Sequence, residues 1–160
     1  MNEGKGLLKF AGYAQGTCVS IDKTTAEIKD MLRVAGADRI IVDEHSDHTD
    51  LMFSVQKVPY RLRVQWRPAS AFVLSPAKRR RTMSQAEQFC EQERRSRWRA
   101  LELQVKAGLV QLALEVGTFH ELFGGYMLMK GGQTVTERMI QALSDGSRET
   151  PIGALPPPQP

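Results

Sequence analysis

From Ser84 to Val116 the chain runs without a proline, and Gly108 is the one glycine in that stretch. A helix of this length would extend roughly 50 Å at 1.5 Å of rise per residue. Such an element limits the architectures open to a small chain, because its apolar stripe must find cover over many turns. The stripe is plain in the second half. Trp98, Leu101, Val105, Leu109, Leu112 and Val116 recur at helical spacing, and Val110 and Leu114 widen it. The first half is far more polar, so that end is expected to project beyond the core. The stripe is broader than one small sheet needs, which also makes the helix a candidate seam for a homodimer.

The cover must come from upstream. Tyr60, Leu62, Val64 and Trp66 alternate with Arg61, Arg63, Gln65 and Arg67. Period-two alternation sends the first set to a core and the second to the opposite face of a sheet. Ile40–Val42 and Leu51–Val55 read as a hairpin around a polar turn, Asp43 to Asp50, and Pro59 reads as a second turn. Tyr13 to Ser20 reads as a further strand. Ile28, Met31, Leu32 and Ala35 form one stripe of a helix over about Thr25–Ala35, stopped by Gly36.

Four capping boxes, Thr24/Glu27, Ser84/Glu87, Thr118/Glu121 and Thr134/Glu137, mark helix starts. Thr118 opens a short helix through Phe123. Tyr126–Met129 reads as a strand, Gly131-Gly132 as a turn, and Val135–Leu143 as a final helix. The predicted class is α+β: a small antiparallel sheet of three to four strands with one packed helix, then a long amphipathic helix and a short helical C-terminal region. A single domain is expected over 1–147, with a strand–helix–three-strand part at 13–67 and a helical part at 84–144. Residues 148–160, dense in proline, read as a disordered tail.

The 160 residues suffice for one real core. No apolar run is long enough to span a bilayer, and the first ten residues lack a secretion signal. Cys18 and Cys90 stand far apart without a partner motif, which suits a reduced compartment. A cytoplasmic location, in a host cell, is expected.

The stretch "RRSRWRAL" from Arg94 to Leu101, followed by "ELQVKAGLVQLALEVGTFHELF" and "MLMKGGQTVTE", resembles an uncharacterised family of small phage and prophage proteins. The resemblance rests on Arg95, Arg97, Trp98, Arg99, Ala100 and Leu101 in the Arg-x-Arg-Trp-Arg-Ala-Leu helix. It continues through Lys106, Ala107, Thr118, Phe119, Glu121, Phe123, Gly132, Thr134 and Val135. It implies a phage origin and a genomic setting near recombination or replication genes, and brings no established activity. The Gly124-Gly125 pair and the Met-rich strand depart from the family pattern.

Charge gives the candidate surface. Residues 58–100 carry eleven basic residues against three acids, a net +8, while the remainder of the chain is −4. The candidate contacts for nucleic acid or an acidic partner are Arg61, Arg63 and Arg67 on the predicted strand, the linker residues Arg79, Arg80 and Arg81 beside Lys78, and Arg94, Arg95, Arg97 and Arg99 on the helix. Guanidinium groups suit bidentate anion contacts. The bland alternatives are a solvated sheet face, a flexible charged linker and a helix knitted by surface ion pairs, with Glu91 placed to meet Arg95 and Glu102 to meet Arg99.

No helix-turn-helix, zinc-finger, P-loop, dinucleotide or nucleophile-elbow motif is present. His120 reads as structural. The acidic segment holding His45, Asp47 and His48 could ligate a metal, but its polar residues are what a hairpin turn requires, so no metal site and no cofactor is assigned.

The expected function is therefore that of a phage-encoded, non-catalytic accessory protein, binding nucleic acid or a nucleoprotein complex through its arginines. The alternative is an anti-defence protein that inhibits a host immune complex by direct protein contact. A metal-dependent nuclease is the third reading. No membrane partner is expected.

Overall fold

The computed structural model describes Ala14 and residues 16–145. The proline-rich tail and the N-terminal decapeptide lie outside them. Of the expected strand over 13–20, Tyr13 and Gln15 also lie outside, and Gly16–Ser20 form no strand. The chain instead enters helix α1, Ile21–Val34, one turn early. Ser20 is the cap, its hydroxyl accepting from the Lys23 N–H, and Thr24 sits within the first turn with its hydroxyl donating to the Ser20 carbonyl. Cap competition thus favours Ser20 over the expected Thr24/Glu27 box.

Three antiparallel strands follow in the order β1 (Ala37–Glu44), β2 (His48–Val55), β3 (Val58–Gln65). The strands reach well into the segment expected to be a polar turn. The β2–β3 connection is the two-residue turn Gln56-Lys57, both at positive φ (51° and 68°), as a twisted hairpin demands. Pro59 does not make a turn but lies in β3, opposite Ser54. Its ring costs the sheet little there, because β3 is an edge strand apart from the Tyr60–Met127 bridge.

The long helix α2 runs Met83–Ala113 and starts from a Thr82/Gln85 capping box, not from Ser84/Glu87. Glutamine serves as well as glutamate for this purpose. Its polar first half does not project beyond the core. A 3₁₀ turn at Ala69–Phe72 lies against it, Ala86 is fully buried, and Gln92 donates to the Thr17 carbonyl across from α1. Glu115, at φ 56°, ends the helix, so Val116 is not part of the buried stripe. It is 69% exposed, with Leu114 at 70% and Val110 at 52%.

Helix α3 (Phe119–Phe123) and helix α4 (Val135–Ser144) carry the expected Thr118/Glu121 and Thr134/Glu137 boxes. Between them the expected strand is reduced to a 3₁₀ turn and single bridges, Met127 to Tyr60 and Leu128 to Thr134.

One core unites these pieces. Ile28 and Leu32 of α1, Leu51, Phe53, Val55, Tyr60, Leu62 and Val64 of the sheet, Trp98, Leu101 and Val105 of α2, and Phe119 and Phe123 of α3 form one buried cluster. Burial of each such side chain contributes roughly 1.5–3 kcal/mol. Gly108 belongs to this packing: a Cβ there would stand 2.5 Å from the Phe123 ring. The helix accepts a poor helix former at that position so that the ring can approach its backbone.

Helices α1, α2 and α3 cover one face of the sheet. The other carries the cross-strand rows Ile41–Met52–Arg61 and Asp43–Asp50–Arg63. A shallow hollow of about 270 Å³ lies there, lined by Arg39, Ile41, Met52, Ser54 and Leu128. Among the described residues no helix is long and apolar enough to cross a membrane.

Candidate functional site

The basic segment divides into arginines that hold the fold together and cations that make no ion pair among the described residues. On the open sheet face, Arg63 forms a fork with Asp50, Nε to Oδ1 at 2.6 Å and a second nitrogen to Oδ2 at 2.7 Å. Burial alone would raise the Asp50 carboxyl. The hydrogen bonds and charge of Arg63, with Arg61 behind it, outweigh burial and hold the group below its ordinary value. Arg61 is itself largely covered. It donates to the Gly132 carbonyl at 3.0 Å and pairs with Glu137 of α4. Glu137 is held low first by the Thr134 N–H it caps, against burial, and then by Arg61. So this face is not merely solvated by its arginines; one of them anchors the C-terminal helix.

Arg67 and Arg97 converge on Glu93. Arg67 meets it through Nε (2.9 Å) and its own backbone N–H (2.9 Å), and Arg97 approaches at 3.2 Å while also donating to the Gln65 carbonyl. Burial works to raise Glu93, yet these contacts leave it below the ordinary carboxylate range. Arg94 lies over Trp66, 4.4 Å from the ring centre, a cation–π contact, and pairs with Glu91, which also meets Arg95 at 3.3 Å. Arg99 pairs with Glu27 of α1 at 3.1 Å and with buried Glu102 at 3.3 Å. The expected Glu91–Arg95 and Glu102–Arg99 pairs are both present. Arg63 of the strand and Arg97 of the helix line one hollow of about 260 Å³ with Gln65 and Gln104, but each arginine already meets a carboxylate.

The linker tetrad is ordered. Ser75 N–H donates to the Arg79 carbonyl and Lys78 N–H to the Ser75 carbonyl, and Leu74 bridges Arg80, so residues 74–80 form a small hairpin with Lys78 at φ 58°. Arg81 anchors it through the Phe72 and Leu74 carbonyls and by lying 4.1 Å from the centre of the Phe89 ring. Phe89 stacks with Phe72, over which Arg67 lies. The side chains of Lys78, Arg79 and Arg80 are exposed and make no ion pair or hydrogen bond among the described residues. Around them Leu74, Met83 and Phe89 are 62%, 56% and 47% exposed. The hairpin therefore presents unpaired cations beside an apolar surface.

At the β1–β2 end, His45 and His48 stack with ring centres 4.3 Å apart. His48 Nδ1 lies 2.7 Å from the Asp47 carboxylate and His45 Nε2 lies 3.3 Å from Asp43. The third group that converges with the histidines is not Asp47 but Asp50, with one ligand atom from each of His45, His48 and Asp50 within 4.8 Å of the others. Strand alternation carries the signal for Asp50, since residues 48 and 50 share a face once β2 is extended back to His48.

His120 shares a hydrogen bond with the fully buried Tyr60 hydroxyl and reaches Gln56 at 3.2 Å. That is the structural part expected of it. Burial pushes the Cys90 thiol up, the wrong direction for a nucleophile. No protein-family model, curated protein or solved structure matches this chain.

Proposed function

We propose that this chain is a non-catalytic accessory protein that docks onto an acidic protein surface through the Lys78–Arg80 hairpin and the apolar residues around it. The observation that carries this reading is the contrast in pairing. Lys78, Arg79 and Arg80 make no ion pair among the described residues and stand together where Leu74, Met83 and Phe89 are exposed to solvent. Exposed aromatic, Met and Arg side chains together are the composition of a protein interface, and unpaired charge at its rim supplies steering and selectivity. The nucleic-acid reading draws less support. A phosphate backbone is tracked by a row of available cations, whereas Arg61, Arg63, Arg67, Arg97 and Arg99 already hold carboxylates. A phage-encoded inhibitor of a host complex is one protein of this type.

The test is affinity capture from bacterial lysate with and without nuclease, using wild type and a Lys78→Glu/Arg79→Glu/Arg80→Glu variant. The expected result is a stoichiometric protein complex that survives nuclease and disappears in the variant, which remains folded. Direct binding of labelled DNA or RNA that weakens steeply with salt and is lost in the same variant would replace this reading with the nucleic-acid one.

A further inference from the structure

We infer that the β1–β2 hairpin end binds a divalent transition-metal ion of the zinc class through His45, His48 and Asp50. Its donors already converge, within 4.8 Å of one another. An ion that takes nitrogen at about 2.0–2.1 Å and oxygen at about 2.0–2.2 Å would hold them closer, roughly 3.3 Å apart in a tetrahedral site. The adjustment falls on His45, whose side chain is 44% exposed. His48 and Asp50 are already set, with side chains 17% and 8% exposed.

Each donor also has the outer partner that metal ligands use. Asp47 holds His48 Nδ1, which fixes the tautomer and leaves Nε2 with its lone pair. Asp43 stands 3.3 Å from His45 Nε2, a looser contact through the other ring nitrogen. Arg63 grips the Asp50 carboxylate by both oxygens and orients it, and each oxygen retains a further lone pair. Charge favours a dication. The Asp43, Asp47 and Asp50 carboxylates outnumber the two guanidiniums that approach Asp50, Arg63 and Arg61, and Arg61 is shared with Glu137. Two imidazoles with one carboxylate suit zinc, cobalt or nickel, not magnesium or calcium, which take oxygen donors. The β1–β2 register already runs to Glu44 opposite Thr49, and the His45 N–H donates to the His48 carbonyl at 2.9 Å. The ion would therefore clamp a preformed turn.

The test is a cobalt(II) titration of the full chain after chelation, with any polyhistidine tag removed, read by visible d–d absorption and followed by zinc competition. The expected result is one ion per chain. Binding should weaken about 100-fold in His45→Ala and in His48→Ala and about 10-fold in Asp47→Asn, the latter being a typical cost of losing an outer partner. His120→Ala should bind as wild type. Circular dichroism should show the His variants folded, since both side chains lie at the hairpin end. The inference is overturned if a His45→Ala/His48→Ala double variant binds cobalt as wild type does. A thiolate charge-transfer band, placing the ion on Cys18 or Cys90, overturns it equally.

Discussion

The arginines of β3 and α2 and the cations of the 74–80 hairpin belong to one basic stretch of sequence, yet they do opposite work. Arg61 reaches α4, Arg67 reaches α2 from beyond the end of β3, and Arg99 reaches α1. Each joins two separate elements of the fold. Lys78, Arg79 and Arg80 join nothing among the described residues, and the backbone that carries them is held by Ser75 and Arg81. Positive charge density alone does not identify a binding surface. What matters is whether an acid already occupies the guanidinium, because an external anion must first displace it.

The contrast can be broken at either side. The largest effect should follow Asp50→Ala, which leaves Arg63 without its carboxylate and the covered Arg61 with Glu137 alone. A loss of about 1.5–3 kcal/mol is expected from charged hydrogen bonds of this kind, measured as a drop in the urea midpoint. Glu93→Ala should fall close behind, since it releases Arg67 and Arg97 together. Gly108→Ala tests the packing that these links enclose. Helix propensity would gain about 1 kcal/mol, but collision with Phe123 should cost about 1–3 kcal/mol. The expected sign is a net destabilisation in thermal unfolding, and a rise in melting temperature would remove the packing role.

Acid should act on the linked side and leave the cations of the hairpin as they are. Asp50, Glu93 and Glu137 are all held below their ordinary values in the folded chain. Their contribution is therefore complete above the unfolded carboxylate range and is lost as pH falls through the lower, folded values. Urea midpoints should be level near neutrality and decline below about pH 4. In Asp50→Ala/Glu93→Ala that decline should be shallower. The smallest effect belongs to the free cations. Arg79→Glu and Arg80→Glu should each change stability by no more than about 0.5 kcal/mol while removing partner capture. A large loss of stability from either would place these residues with the structural set.

Much of the fold was legible where the signal is local. The alternation from Tyr60 to Trp66, the stripe of Trp98, Leu101 and Val105, and the boxes at Thr118 and Thr134 each depend on neighbours a few residues away, and all are realised. Failures came where two local signals competed. Ser20 displaced Thr24 as a cap and Thr82 displaced Ser84. The Gln56-Lys57 turn gave no warning because neither residue is the Asn or Gly usual at positive φ. Polar residues at 43–50 read as a turn because their hydrophilicity suited one; the strands took them in because Asp50 had an arginine opposite it in β3. Of the candidate site, the residues were visible, but their division into bound and free was not.

Sequence by itself determined the α+β class, the single long helix, the caps of the last two helices and the concentration of basic charge at 58–100. Each follows from periodicity, capping or composition, which the chain carries within a few residues. Tertiary structure alone decided that Arg61 would meet Glu137, that Arg99 would meet Glu27, and that His48 would stand beside Asp50 with Asp47 behind it. The first two pairs are separated by 76 and 72 residues along the chain. No local rule reaches that far. Their meeting depends on how the helices and the C-terminal segment close around the sheet.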